Sequence, residues 1–271
     1  ISKQEAADNF MPEIEAMGEE NGWTPKETLK QLTAYYDGYH FCRRNMVDIF
    51  NPFSLINALD DRELRNYWAS SGATSLLPKF VDDMEMKMEY FDHCFIEGDT
   101  LETSDVVNGG AELFLYQSGY LTIKGYDDGV YTLGFPNFEV RKALYRVVVP
   151  ALTMKSNSEV VSAQSFLRKM MQDGNTAEAK KALKALIADV PYSNKKMASM
   201  DMEERYRLIM STIFRALGFR VEVERMLATG RIDMIVEVSS IIYVLELKLS
   251  NNGGISAAGS QIKEKSYTEP F

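Results

Sequence analysis

The chain has 271 residues, 45% hydrophobic and 25% charged, a balance that fits a globular protein and not a disordered one; no apolar run approaches the roughly 20 residues of a membrane span, and the opening residues lead into an acidic helical pattern instead of a hydrophobic leader. The net charge of −9 is uneven: residues 1–154 carry −12, residues 155–202 carry +3 and residues 203–271 are neutral, so a broad nucleic-acid-binding surface is excluded from the first half and only a local phosphate-binding face is open to the last segment. Two cysteines, Cys42 and Cys94, and two histidines, His40 and His93, make neither a disulfide framework nor a histidine-rich zinc centre, and a reducing cytoplasm is expected.

In chain order, residues 2–17 read as a helix capped by Ser2, with Glu5 as the reciprocal partner and Gly18 as the stop. Thr24 caps a second helix that has Pro25 in its first turn and runs to about Tyr36. The loop Tyr35-Tyr36-Asp37-Gly38-Tyr39-His40-Phe41 combines turn chemistry with aromatics expected to pack a small helical core. Asn51 or Ser54 then starts another helix. More helix is expected over residues 63–80, broken at Ser70-Ser71-Gly72, and helix or strand at a core edge over residues 84–95.

Residues 111–152 form a distinct unit. A short helix ends at Gly119, residues 120–124 and 130–135 are strands around a turn-rich loop at 125–129, and Pro136-Asn137 caps a helix over 138–153. Helix, hairpin and helix make a winged-helix-like unit. Its helices carry few positive charges (Arg141, Lys142, Arg146), which favours a structural or docking role. Residues 156–189 read as an amphipathic helix pair split at Asp173-Gly174-Asn175, with Lys180, Lys181 and Lys184 on a solvated face. The polar, proline-containing stretch 191–200 is the expected domain boundary.

The last segment opens with a capping-box pattern, Asp201 to Glu204, on a helix that sets Glu203, Tyr206 or Arg207, and Met210 on related faces and ends at Gly218. Strands are expected over 219–226, with Glu222 and Glu224 on one face, over 231–238 and over 241–249, followed by a helix over 256–265. A turn symmetric about Ser239-Ser240 pairs Val238 with Ile241 and, further out, Asp233 with Glu246, whose Cβ atoms then lie about 4.5–5.5 Å apart. Lys248 shares the face of Glu246. Like charges directly opposed in a sheet are destabilising. Either a divalent cation sits between the acids with Lys248 beside it, or Lys248 neutralises one acid on a solvated face.

The stretches Gly230-Arg231-Ile232-Asp233, Ile242-Tyr243-Val244-Leu245-Glu246-Leu247-Lys248 and Gln261-Ile262-Lys263-Glu264-Lys265-Ser266-Tyr267 resemble the PD-(D/E)XK nuclease superfamily. Within it they are similar to the nuclease-like domain fused to an AAA-ATPase-like module in many anaerobic bacteria, notably the Bacteroides group. The resemblance covers residues 203–271. It implies catalytic roles for Asp233, Glu246 and Lys248. It also implies Mg²⁺ or Mn²⁺ held by Asp233, Glu246, the Leu247 carbonyl and Glu203, and nucleic acid, DNA foremost, contacted by Gln261, Lys265 and Arg231. Tyr-Asp-Gly-Tyr and Asn-Pro-Phe-Ser resemble the end of the ATPase-like module. No phosphate-binding loop of the Gly-x-x-x-x-Gly-Lys-Ser/Thr type occurs here, so ATP would bind only in a region upstream of Ile1, and a further strand would follow Phe271.

The expected fold is thus α+β or α/β and multi-domain. Residues 1–110 are the helical, lid-like end of the ATPase-like module, 111–200 a winged-helix-like unit and helical linker, and 201–271 a C-terminally truncated, restriction-endonuclease-like mixed sheet flanked by helices. The expected function is a metal-dependent nuclease. The alternative is a non-catalytic nuclease fold used for docking under control of the upstream ATPase. No membrane partner is expected.

Overall fold

The computed structural model describes residues 1–44, 47–71, 90–102, 110–190, 202–248 and 254–268. It divides into two compact units, Ile1–Val147 and Val148–Phe271, where the sequence suggests three segments.

The first unit opens with α1 (Lys3–Asn9), α2 (Met11–Asn21), α3 (Pro25–Tyr36) and α4 (Pro52–Asp61). Ser2 and Glu5 make the expected capping box on α1, and Thr24 and Glu27 make another on α3. The single helix expected over 2–17 is instead two. Phe10 leaves helical geometry and Pro12, in the first turn of α2, starts a new helix, because proline suits a helix start and disrupts an interior. Gly18 continues α2, and Gly22, at φ 71°, ends it. Asn51 caps α4 through bonds from the Phe53 and Ser54 amides. The helix expected from residue 63 is absent over the described part: Arg62 turns left-handed at the end of α4, and only a 3-10 turn, Trp68–Ser71, follows. Residues 72–80 and the rest of that expectation lie outside the described residues. Ile14, Met17, Leu32, Tyr36, Phe50 and Leu55 form the core of these helices.

The aromatic loop is a staple. Tyr36 is fully buried and its hydroxyl donates to the Arg65 carbonyl at 2.9 Å. Tyr39 donates to the Gly119 carbonyl at 3.1 Å, and the His40 amide to Thr122 Oγ1 at 2.8 Å. These bonds hold the loop against a three-stranded antiparallel sheet ordered β1-β3-β2: β1 (Cys94–Glu97), β2 (Thr122–Asp127) and β3 (Val130–Gly134). Between β1 and β2 lie α5 (Gly98–Leu101) and α6 (Gly110–Gln117), and α7 (Phe138–Thr153) follows β3. The hairpin turn is tighter than expected, with both strands running to the two residues Asp128-Gly129.

Glu139, at the start of α7, is fully buried, and its Oε1 accepts the Trp68 amide at 2.8 Å. Burial, foremost, pushes its carboxyl above the ordinary carboxylate range. A raised folded value means stability that is present below the unfolded pKa and lost as pH climbs through the folded one. Glu139→Gln keeps the acceptor and removes the ionisation. Its melting temperature, followed by tryptophan fluorescence from pH 4.5 to 8, is expected to lack a downward component that the parent protein shows on going to higher pH.

In the second unit, α8 (Asn157–Gln172) and α9 (Thr176–Ile187) form the expected pair, capped by Ser156 and Asn175. The expected boundary at 191–200 and the Asp201 cap lie outside the described residues. α10 (Met202–Ala216) precedes β4 (Arg220–Leu227), β5 (Gly230–Val238) and β6 (Ile241–Leu245), and α11 (Gly254–Glu264) closes the unit. The sheet order is β4-β5-β6, antiparallel throughout. Among the described residues this corrects the expected mixed sheet, because two-residue turns join each strand to the next and such turns admit only antiparallel pairing. Leu167, Leu186, Ile213, Phe214, Met234 and Val236 share a core on one side of the sheet. Ile232, Ile235 and Tyr267 cluster with Val244 and Ile262 on the α11 side.

Candidate metal and nucleic-acid site

The β5–β6 register is the one the two-serine turn demands. Val238 pairs with Ile241, and the ladder runs out to Met234 with Leu245. Continued one step, it sets Asp233 against Glu246. The strand itself stops at Leu245, short of the expected 249. The reason is a side-chain contact across the strands: the Leu247 amide, which the next rung of the ladder would use, donates to Asp233 Oδ2 at 2.8 Å. A side-chain carboxylate has replaced a backbone carbonyl, and Glu246, Leu247 and Lys248 leave the sheet.

On the other side of β5, the pairs Val223–Met234 and Arg225–Ile232 flank Glu224 and Asp233, which do not pair. Glu224 has φ 55°, a left-handed conformation that costs a non-glycine residue about 1–2 kcal/mol. Ile232 and Ile235 both reach the Tyr267 cluster, although strict alternation would send them to opposite faces. The alternation breaks at Asp233, across from the left-handed glutamate. Strain of this kind concentrates at functional sites.

Asp233 is 7% exposed. Its Oδ1 lies 3.5 Å from Arg207 Nη1 on α10. Arg207 Nη2 also meets Glu224 Oε1 at 3.1 Å, and Arg231 Nη1 meets the same oxygen at 3.0 Å. The Glu246 side chain is 1% exposed, with Oε1 3.4 Å from Lys248 Nζ. Its Oε2 is buried without a hydrogen-bond partner. Burial first, and the Asp233 charge second, push the Glu246 carboxyl upward, and Lys248 opposes them. Glu246 also lines a cavity of about 440 Å³ whose walls include Met171, Leu183, Met210, Phe214 and Ile262.

A buried carboxylate oxygen without a partner, beside a second carboxylate, fits a hard divalent cation. Mg²⁺ is often held by one or two carboxylates and completed by water and phosphate oxygens. Among the described residues no group of three or more His, Cys, Asp or Glu side chains is placed to hold a metal, so Glu203 is not brought in as a third acid.

Gln261 donates to the Tyr267 hydroxyl at 3.4 Å, and that hydroxyl donates to the Arg231 carbonyl at 3.0 Å. The Gln261 amide therefore supports the strand that carries Asp233. Lys265 has an exposed side chain, and its carbonyl accepts Thr229 Oγ1 at 2.8 Å. Gly230 explains itself here: at φ 155°, a Cβ would fall 2.6 Å from the Tyr267 hydroxyl. Tyr267→Phe is expected to cost about 1–2 kcal/mol in denaturant unfolding, the range for losing a buried hydrogen bond.

Arg207, Glu224 and Tyr267 received no role from the sequence. A signal existed for Glu224, since a turn symmetric about Ala228-Thr229 sets it opposite Asp233 by the same register logic. No comparable local signal joins Arg207 to a strand residue 26 positions away.

The site thus brings together two acids, Asp233 and Glu246, with a lysine two residues beyond the second. Residues 201–271 match the PD-(D/E)XK nuclease superfamily, which supports a domain of that superfamily over this stretch. A protein described as an uncharacterized protein in the vnfD 5′ region of Azotobacter chroococcum mcd 1 is 25% identical over 255 residues, 89% of this chain and 47% of that protein. The chain spans about half the length of that relative. No solved structure matches. Among the described residues no helix is long and apolar enough to cross a membrane.

Proposed function

We propose that the last segment is the centre of a nuclease that hydrolyses phosphodiester bonds of nucleic acid, DNA in preference, with Mg²⁺ or Mn²⁺ held by Asp233 and Glu246. The observation that carries this reading is the buried, unpartnered Oε2 of Glu246 beside Asp233, within the stretch matched to the nuclease superfamily. When bound, such a cation polarises a phosphodiester and lowers the pKa of an attacking water. The protein's own part is to hold two carboxylates at a fixed separation, to keep the apolar wall behind Glu246 dry, and to keep Lys248 within reach of the reacting oxygen. There the ammonium orients the nucleophile or stabilises developing negative charge. In the same proposal, the Leu247 carbonyl assists the cation, and Arg231, Lys265 and Gln261 meet the nucleic acid. A winged-helix-like unit and an ATPase region of the same cytoplasmic protein act upstream, with ATP bound there.

A second reading has its own support. Arg207 neutralises Asp233, and the Gln261 amide is turned to Tyr267. These contacts suit a nuclease fold kept for docking nucleic acid or protein.

The test uses the full-length protein on labelled DNA and RNA, with Mg²⁺ or Mn²⁺ and with EDTA. Cleavage that EDTA abolishes is the expected result. No cleavage of any substrate, with duplex binding retained, leaves the docking reading in possession.

A further inference from the structure

The charges around the acid pair balance. Glu224 and Asp233 stand against Arg207 and Arg231 in one chain of contacts of 3.0–3.5 Å, and Glu246 stands against Lys248 at 3.4 Å. A divalent cation entering this cluster adds two positive charges with nothing to offset them, whereas each phosphodiester that enters with it brings one negative charge. Arg207 stands at the junction of the two. Its side chain is 14% exposed, so its field is weakly screened. Its planar fork has five N–H donors and suits phosphate as well as carboxylate. The bond to Asp233, at 3.5 Å, is the longer of its two acid contacts, and the contact to Glu224, at 3.1 Å, anchors it. Glu224 is in turn held by Arg231 and by its left-handed backbone. The guanidinium is thus tethered beside Asp233 and bound to it only loosely.

We propose that Arg207 couples cation binding to phosphodiester binding: without nucleic acid it holds the charge of Asp233 and opposes the cation, and with nucleic acid it turns from Asp233 to a phosphate oxygen and leaves the carboxylate to the cation. The inference rests on the nuclease reading of this site and adds its regulation. Coupling of this kind is reciprocal: whatever factor the nucleic acid adds to cation affinity, the cation adds to nucleic-acid affinity.

The experiment measures Mn²⁺ affinity by electron paramagnetic resonance for the full-length parent protein, Arg207→Gln, Arg207→Lys and Asp233→Asn. Each is titrated alone and with a nuclease-resistant phosphorothioate duplex, with folding checked by circular dichroism. Arg207→Gln alone is expected to bind Mn²⁺ about 5- to 150-fold more tightly than the parent, the ordinary span of a coupling between sites. The duplex is expected to tighten Mn²⁺ binding to the parent and to leave Arg207→Gln unchanged. Arg207→Lys keeps the charge without the fork, so its Mn²⁺ affinity stays near the parent's while the duplex effect shrinks; this variant carries the test should Arg207→Gln fail to fold. Equal or weaker Mn²⁺ binding by folded Arg207→Gln, or a duplex effect that survives it, overturns the proposal and leaves the nuclease reading intact. If neither the parent nor Arg207→Gln binds Mn²⁺ more tightly than Asp233→Asn, the cation site itself fails and takes this inference with it.

Discussion

Asp233→Asn is expected to reduce metal-dependent cleavage about a thousandfold, in line with what the loss of one charge-stabilising group at a reacting centre costs. The size follows from how much meets at this side chain. The charge of Asp233 acts on Glu246, and the same carboxylate accepts the Leu247 amide and faces Arg207. Asparagine keeps an oxygen for the Leu247 amide, so the exit path of β6 persists. The lost negative charge also relieves Glu246, whose carboxyl is pushed up in part by Asp233. Against this stands the lost pairing to Arg207, a long contact of 3.5 Å. The melting temperature is therefore expected to hold within about 4 °C. Lys248→Met is the companion variant, expected to lose about a hundredfold in rate and to leave both oxygens of a nearly buried Glu246 without a cation. Rates from gel-resolved cleavage, set beside thermal melts, separate a chemical loss from an unfolded protein. Cleavage by Asp233→Asn at the parent rate would remove the assignment.

How far the site was legible beforehand depends on which forces are local. The capping box at Ser2 and the cap at Thr24 rest on residues within three positions and are readable as such. The register of β5 on β6 was readable because a two-residue turn and a period of two leave one solution that buries Val236 and Val238. The break at Phe10 was missed because Pro12 reads as a helix-interior residue until Met11 is known to start a helix. β1 stays open between helix and strand in the sequence because its partner, β3, lies more than thirty residues away and nothing near Cys94 announces it. The early end of β6 was hidden in the same way. A strand pattern continues through Lys248, and only the long-range capture of the Leu247 amide by Asp233 cuts it short. The acid pair could be read, therefore, but the arginine that neutralises it and the strained glutamate that holds the arginine required a structure.

The largest stability effect is expected at Gly38, in the first unit. Gly38 has φ 98°, and a Cβ there would lie 2.1 Å from the Pro136 carbonyl oxygen. That neighbour is backbone and cannot rotate away. Moving it disturbs Asn137, which caps α7 through the Val140 amide at 3.1 Å and donates to the Asp37 carbonyl at 3.0 Å. It also disturbs Lys124, whose ammonium donates to the Gly38 carbonyl at 3.0 Å. Gly38→Ala therefore combines a forbidden backbone angle with a collision and the loss of buried hydrogen bonds, for an expected cost of about 4 kcal/mol. Gly22→Ala is the control. Its φ is 71°, but nothing lies within 4 Å of the added carbon, so it carries the backbone strain alone, about 1 kcal/mol. The chain's two tryptophans, Trp23 and Trp68, both lie in the first unit, so their fluorescence follows the unfolding of that unit in denaturant. Gly38→Ala is expected to shift the midpoint several times further than Gly22→Ala. Equal shifts would mean that Pro136 yields freely and that the Tyr-Asp-Gly-Tyr loop is not the staple its hydrogen bonds describe.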